Sequence, residues 1–393
     1  MKHILTLLAV LSLALTACKS GPDYGRALPD GAPALLPLGP DDVRPDFGAQ
    51  WSSRDELLPA LDHSIAWTQK KSSTKFFPIE GVSLARQQQS LERFKAALNE
   101  SQSASDFDAR IEREFVVMKS AGWDGRGGGV LYTAYCTPIL EGSIEPNATY
   151  KYPLYAQPDD LVKEPATGEI LGMRTTSGGI SPYPTRRAIE AGHLLSNKQL
   201  ELAYLKDPID AYIAHVNGSA FIKLKDGSML KLGYSGKNGR EYTSLGQELV
   251  KDKQLSKDSV SLRSIREWAK SHPREVQDYL NRNESFVFFT PIEGDPHGSL
   301  NVPVTGKRSL ATDKRLFPRG SIVFVEGKPG SGIAEGAHVD HFMFDQDTGG
   351  AIRTAGRADI YMGAGPQAEA VSGSTRVEGQ LYYLFLKETF ASP

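Results

Sequence analysis

The sequence predicts an α+β protein, mainly β with helices, built on a small closed β-barrel that a β-rich insertion interrupts. Three observations predict it. The 393-residue chain carries 38 glycines and 24 prolines, which suits short strands joined by tight turns and lacks any collagen-like period. From Phe286 to Lys387 short β-type runs alternate with Gly/Pro turns, the spacing of a small barrel. A run of the same kind lies far upstream at 129–138, and the stretch between has a different texture.

The length accommodates two domains with ample core. A formal charge of -2 and a pI near 6.5 give no electrostatic case for nucleic acid. Only Cys18 and Cys136 occur, so a disulfide framework is not expected.

Taken in order, the chain opens with a basic Met1-Lys-His-Ile and an apolar run from Leu5 to Leu15, too short for a membrane span. Leu15-Thr16-Ala17-Cys18 resembles a bacterial lipoprotein cleavage box. That resemblance implies a signal peptide over 1–17, acylation of Cys18, and a protein anchored to a membrane without spanning it. Residues 18–50 are rich in Pro and Gly and read as an extended tether. Residues 51–138 read as helices leading into the first part of the barrel. Ser53 and Glu56 suggest a capping box; Phe94, Leu98, Ile111, Phe115 and Met118 keep helical spacing, with Gly122 as a stop. Tyr132, Thr133, Tyr135 and Cys136 then lie on a strand that Pro138 ends.

Residues 139–288 read as the inserted β-rich domain. A strand is expected at 152–155, a helix capped by Thr185, a strand over 212–217, and a hairpin over 221–232 turning at Asp226-Gly227. A glycine-rich loop over 233–239 and helical runs near 243–252, 259–270 and 273–281 follow. Residues 289–393 supply the second part of the barrel, with strands at 300–304, 321–325, 338–344, 358–361 and 380–386.

One stretch of that second part concentrates the chemistry. At period two Met343, Asp345 and Asp347 share a face and Phe342 and Phe344 share the other, before a Gly349-Gly350 turn. Beyond the turn Asp359 and Tyr361 point one way, and Ala358, Ile360 and Met362 the other. A carboxyl among apolar neighbours and glycines is a candidate for a raised pKa and a closely approaching ligand. A calcium loop starting at Asp345 fails, because its fifth and twelfth positions are Gly349 and Gly356. His338 and His341, three apart on a strand, diverge and make a poor metal pair. Lys237 lacks Walker spacing, no G-x-S-x-G occurs, and Cys136 sits in an apolar strand. Neither metal nor cofactor is expected. What remains is carboxylate chemistry by Asp313, Asp347 and Asp359: gathered like charges cannot all ionise, and a protonated acid suits glycosidic cleavage.

Thr312-Asp313, Asp347-Thr-Gly-Gly-Ala-Ile352 and Arg357-Ala-Asp359-Ile-Tyr361 resemble the three-aspartate signature of barrel-type cell-wall lytic enzymes. Adding Thr133-Ala-Tyr135-Cys-Thr-Pro138, Tyr152-Pro-Leu-Tyr155, His215-Val-Asn-Gly-Ser219, Gly233-Tyr-Ser-Gly-Lys-Asn-Gly239 and Ser285-Phe-Val-Phe-Phe289, the chain resembles the membrane-bound lytic murein transglycosylase A family over roughly 120–390. The resemblance implies a double-psi β-barrel with an inserted smaller β-barrel-like domain, and a groove between them for a peptidoglycan glycan strand. It implies Asp359 as sole acid and then base, cleaving the MurNAc–GlcNAc bond to leave a 1,6-anhydromuramyl end. Asp347 and Asp313 would support it, while Thr133, Tyr135, Gly349, Gly350, Tyr361 and Ser219 would line the groove. Asn217, Ala220 and Cys136 depart from the family's motifs and bear on subsite detail. The implied setting is the periplasmic side of the envelope, with Lys19 after the cysteine favouring the outer membrane and cell-wall synthesis or hydrolysis complexes as possible partners. A two-carboxylate hydrolase and a non-catalytic wall-binding or wall-loosening barrel stand as alternatives.

Overall fold

The computed structural model describes residues 21–165, 168–257, 259–328 and 340–390; Cys18 and His338 lie outside them. Leu35–Pro37 (β1) pairs antiparallel with Phe115–Ser120 (β2), and Phe47 is fully buried with its ring 5.0 Å from Phe324 and 5.3 Å from Phe342. The later half of the expected tether is therefore fastened to the barrel. Its leucines and phenylalanine gain more from burial than the chain loses in freedom.

Three helices cover one side of the barrel: Arg54–Thr68 (α1), Leu84–Glu100 (α2) and Ala104–Glu114 (α3). Ser83 and Ser103 cap α2 and α3 by accepting from the amides of Arg86 and Asp106. Ser53 makes no such bond, because a 3-10 turn over Gly48–Ser53 runs straight into α1. The helical spacing ends earlier than expected. Phe115 and Met118 lie on β2, where β-branched Val116 and Val117 favour an extended chain and the final strand supplies a pairing edge.

Val130–Thr137 (β3) starts the barrel, and the chain then leaves it through Ile139–Ser143 (β4). The second sheet continues with Tyr152–Tyr155 (β5), beside a small sheet of Leu161–Lys163 (β6), Ile170–Arg174 (β7) and Ile180–Ser181 (β8). Arg186–Glu190 (α4), capped by Thr185 as expected, leads to Glu201–Leu205 (β9). The stretch 212–217, expected as a strand, is helical within Pro208–Asn217 (α5). Its stop signals decide this: Asp207 caps the amide of Ile209, Pro208 fits the first turn, and Gly218 closes the end at φ 71°.

Ala220–Lys223 (β10) and Met229–Lys237 (β11) form the expected hairpin. The expected glycine loop is mostly strand, with a bulge between Tyr234 and Gly236. Leu245–Lys251 (α6), Leu262–Ser271 (α7) and Val276–Leu280 (α8) precede Val287–Pro291 (β12). β12 closes the second sheet, ordered β12-β11-β10-β4-β9-β5, and so runs past the boundary at 288 read from the sequence.

The chain re-enters the barrel with Ser309–Ala311 (β13), Ile322–Gly327 (β14), His341–Asp347 (β15) and Arg357–Ala364 (β16). Pro366–Ser372 (α9) and Val377–Leu386 (β17) finish it. No strand forms over 300–304; Leu300 and Val302 instead pack on Trp67, and Pro303 has no amide to offer a ladder. The sheet order is β1-β2-β17-β14-β15-β13-β16-β3, and pairing of β17 with β3 closes six of these eight strands into the expected barrel. β15 and β16 are not a hairpin: β13 lies between them, parallel to β15 and antiparallel to β16.

Alternation sorts the side chains. Val130, Tyr132, Val323, Met343, Ala358, Ile360 and Tyr383 fill the barrel, whereas Phe342, Phe344 and Leu384 point outward onto Leu57, Leu61, Phe94 and Leu98 of the helices. Each of the larger aliphatic and phenylalanine side chains contributes roughly 1.5–3 kcal/mol by burial. Phe94, edge-on to Phe107, Phe115, Phe342 and Phe344, is the most connected ring of the helix layer.

Candidate active site

With Ala358 and Ile360 turned into the barrel, Asp359 and Tyr361 must face away from its interior. The parallel register of β16 with β3 sets Asp359 opposite Thr133 and Tyr361 opposite Tyr135. Thr133 Oγ1 donates to Asp359 Oδ1 at 2.8 Å, and Arg357 Nη2 donates to Thr133 Oγ1 at 3.2 Å. Burial pushes the Asp359 carboxyl up to about 6, against the Thr133 bond and the Arg357 charge and with help from the Asp347 charge. Asp359 is thus poised to hold or release a proton near neutrality.

Asp347 ends β15 beside it. Tyr135 Oη donates to its Oδ2 at 2.6 Å, and the amides of Ser299 and Thr348 donate to its Oδ1 at 2.8 Å each. Burial still raises its pKa above the ordinary value. The Tyr135 and Tyr361 rings lie 5.1 Å apart, and the Tyr361 hydroxyl continues through Thr137 Oγ1 to Ser219 Oγ in steps of 2.9 Å. This chain ties barrel strands to the end of α5 in the second sheet's layer.

Asp313 is turned elsewhere. Arg315 grips both its oxygens, at 2.9 and 2.6 Å, and the Thr354 amide adds a bond at 3.1 Å. Burial would raise its pKa, yet these donors hold it below the ordinary value. It shares no hydrogen bond with Asp347 or Asp359. Asp345, fully buried in the barrel, bonds Lys314, Thr312 and Tyr383. Cys136 is buried, and burial pushes its thiol up to about 11, the state of a small hydrophobe rather than a nucleophile.

A cleft of about 280 Å³ opens between the barrel and the second sheet. Tyr135, Asp347, Gly349, Gly350, Tyr361 and Ser219 all line it, whereas Thr133, Asp359 and Asp313 do not. Asp359 is joined to this wall through its neighbours on β3 and β16 and is half-buried. A side chain at Gly350 would meet Tyr242 Cβ at 3.3 Å, so the turn's bareness keeps the wall close to the opposite layer. Asn217 also lines the cleft, partly buried, with its Oδ1 accepting from the Cys136 amide at 3.3 Å and its Nδ2 donating to Ile213 O at 2.9 Å.

Tyr242, Ser299 and Arg353 line the cleft without any mark in the sequence reading, and Lys237, which fails there as a Walker lysine, lines it with Tyr234. Arg357, quoted there only within the motif around Asp359, donates to Thr133. The glycine-flanked 233–239 stretch was a usable signal for Lys237, since a strand with so many glycines invites close approach. Nothing local marks Ser299, whose backbone alone serves.

The profile described as "MltA specific insert domain" matches residues 131–290, and the "3D domain" profile matches 308–385. The chain is 32% identical over 286 residues to the membrane-bound lytic murein transglycosylase A of Escherichia coli K12, covering 70% of this chain and 72% of that one. It is 30% identical over 297 residues to the Vibrio cholerae protein of the same name, covering 74% and 75%. Among solved structures, a membrane-bound lytic murein transglycosylase from Agrobacterium tumefaciens superposes with a TM-score of 0.75 at 25% identity, covering 90% of this chain and 98% of that one. E. coli MltA with bound chitohexaose gives 0.68 at 25% identity, covering 92% and 98%.

Proposed function

This chain belongs to the membrane-bound lytic murein transglycosylase A family, and from that premise we propose that it cleaves peptidoglycan glycan strands with Asp359 as the single acid and then base. The observation that carries the proposal is the Asp359 carboxyl, raised to about 6 by burial and held by Thr133 at 2.8 Å.

Protonated Asp359 gives its proton to the oxygen linking N-acetylmuramic acid to N-acetylglucosamine. The C1–O bond breaks with its electron pair leaving on that oxygen, and positive charge develops at the muramyl C1. The muramyl 6-hydroxyl of the same sugar attacks C1 and surrenders its proton to the Asp359 carboxylate. The acid is restored, no water is consumed, and a 1,6-anhydromuramyl end remains. Intramolecular attack needs no second base, because the nucleophile is already at high effective concentration. Asp347 suits a supporting role: three donors occupy its oxygens, leaving it poorly placed to activate water but able to favour positive charge nearby. Asp313, gripped by Arg315, acts through the loop it holds.

The barrel parts at 51–138 and 289–393 and the insertion at 139–288 would provide the groove's two walls. One solved relative holds chitohexaose, a sugar polymer with the same N-acetylglucosamine unit. Acylated Cys18 would hold the protein at the outer membrane, facing the periplasm; among the described residues no helix is long and apolar enough to cross a membrane. Mass spectrometry of digested sacculi tests the reaction. Muropeptides one water lighter than hydrolytic products are expected, and a digest with reducing ends alone would favour the two-carboxylate hydrolase.

A further inference from the structure

His215, on α5, lines the cleft although it is only 4% exposed. The amide of Val287 donates to its Nδ1 at 3.1 Å, so Nδ1 is the unprotonated nitrogen. Burial and the nearby Arg186 charge hold the imidazole well below its ordinary pKa, which keeps the ring neutral with its proton on Nε2. That Nε2 is buried and has no hydrogen-bond partner among the described residues. An unsatisfied buried donor is costly, and an acceptor arriving in the cleft would relieve that cost.

The ring cannot easily turn away. Phe286 lies 4.2 Å and Phe289 5.4 Å from it, centroid to centroid. Arg186, which also lines the cleft, cannot serve the newcomer, because its guanidinium is taken by Asn283 O, Ser285 O and Glu190. A neutral, fixed N–H among aromatic rings suits an uncharged carbonyl oxygen flanked by a small apolar group. An ammonium group has no acceptor to offer and would be repelled by Arg186.

We propose that His215 forms the floor of a sugar subsite, donating its Nε2–H to the carbonyl oxygen of an N-acetyl group and thereby selecting acetylated over deacetylated glycan. The inference rests on reading the cleft as a glycan groove. His215 is a specificity residue and shares no hydrogen bond with Asp359.

The test uses the full chain carrying Asp359→Asn, so that ligand is bound without being cleaved, with calorimetric titration of chitohexaose and of its fully deacetylated counterpart. Adding His215→Phe, which keeps a flat ring and removes the donor, should weaken chitohexaose binding about tenfold, the worth of one ligand hydrogen bond. Affinity for the deacetylated hexamer should stay unchanged. His215→Gln, which restores an N–H, should recover most of the preference. In case either variant folds poorly, ¹⁵N-histidine NMR of the otherwise unaltered Asp359→Asn chain should show the His215 Nε2–H resonance shifting with chitohexaose and not with the deacetylated hexamer. Equal losses for both ligands, no loss in a folded variant, or an unmoved Nε2–H at saturation would each overturn the inference. If the parent Asp359→Asn chain binds neither hexamer, the groove reading itself has failed; if it binds and only the His215 results are silent, this inference alone falls.

Discussion

Asp345 and Asp347, two residues apart on β15, hold their carboxylates in different surroundings: Asp345 against buried Lys314 within the barrel, Asp347 under the Tyr135 hydroxyl in the cleft wall. The ladder with β13 slips between them, Leu310 pairing with Asp345 and Ala311 with Asp347. One strand thus supplies one carboxylate to the barrel interior and another to the cleft wall.

That division predicts separable phenotypes. Asp345→Ala would strand Lys314, 4% exposed at its side chain, without its counter-charge and leave Thr312 and Tyr383 short of an acceptor. Chemical unfolding should show a loss of about 3–5 kcal/mol. Asp347→Ala, at the strand's half-exposed end, should cost far less stability while reducing turnover. Equal stability losses would refute the distinction.

The charges beside Asp359 predict opposite movements of the pH profile. In the proposed mechanism the reaction begins with protonated Asp359, so kcat/KM should fall as pH rises through about 6. Arg357 lowers that pKa and Asp347 raises it. Arg357→Gln should therefore move the alkaline limb to higher pH, and Asp347→Asn should move it lower. Limbs that stay in place, or move together, would detach these charges from the titrating group.

Stability should register the same carboxyl. Because its folded pKa is raised, ionising Asp359 opposes folding: the penalty is absent below the ordinary aspartate value and complete above about 6. Asp359→Asn should accordingly stabilise the protein near neutral pH by about 1–2 kcal/mol, allowing for partial solvent access, and the gain should vanish as pH falls below about 4. Thermal unfolding across pH would show whether the gain has this sign.

Much of this arrangement is legible in the sequence, for local reasons. Period two alone assigns Ala358 and Ile360 to the barrel and Asp359 and Tyr361 to the other face, and the Asp226-Gly227 turn announces its hairpin. The helix at 208–217 was legible too, from Asp207, Pro208 and Gly218, although its β-prone Tyr, Ile and Val suggest a strand. What no local pattern carries is pairing across distance. β13 inserts between β15 and β16, and Lys314 meets Asp345 through that topology. For the same reason Arg357 reaches Thr133 only once two strands far apart in the chain lie parallel; Asp313, by contrast, is held by Arg315 two residues on, a local contact.

The most direct test of the central claim pairs cleavage with binding in Asp359→Asn, using intact sacculi. Release of anhydromuropeptides should fall by several orders of magnitude, since a lone acid and base has no substitute, while the variant still sediments with sacculi as the unaltered protein does. Release at more than a few per cent of the original rate would contradict the assignment of Asp359.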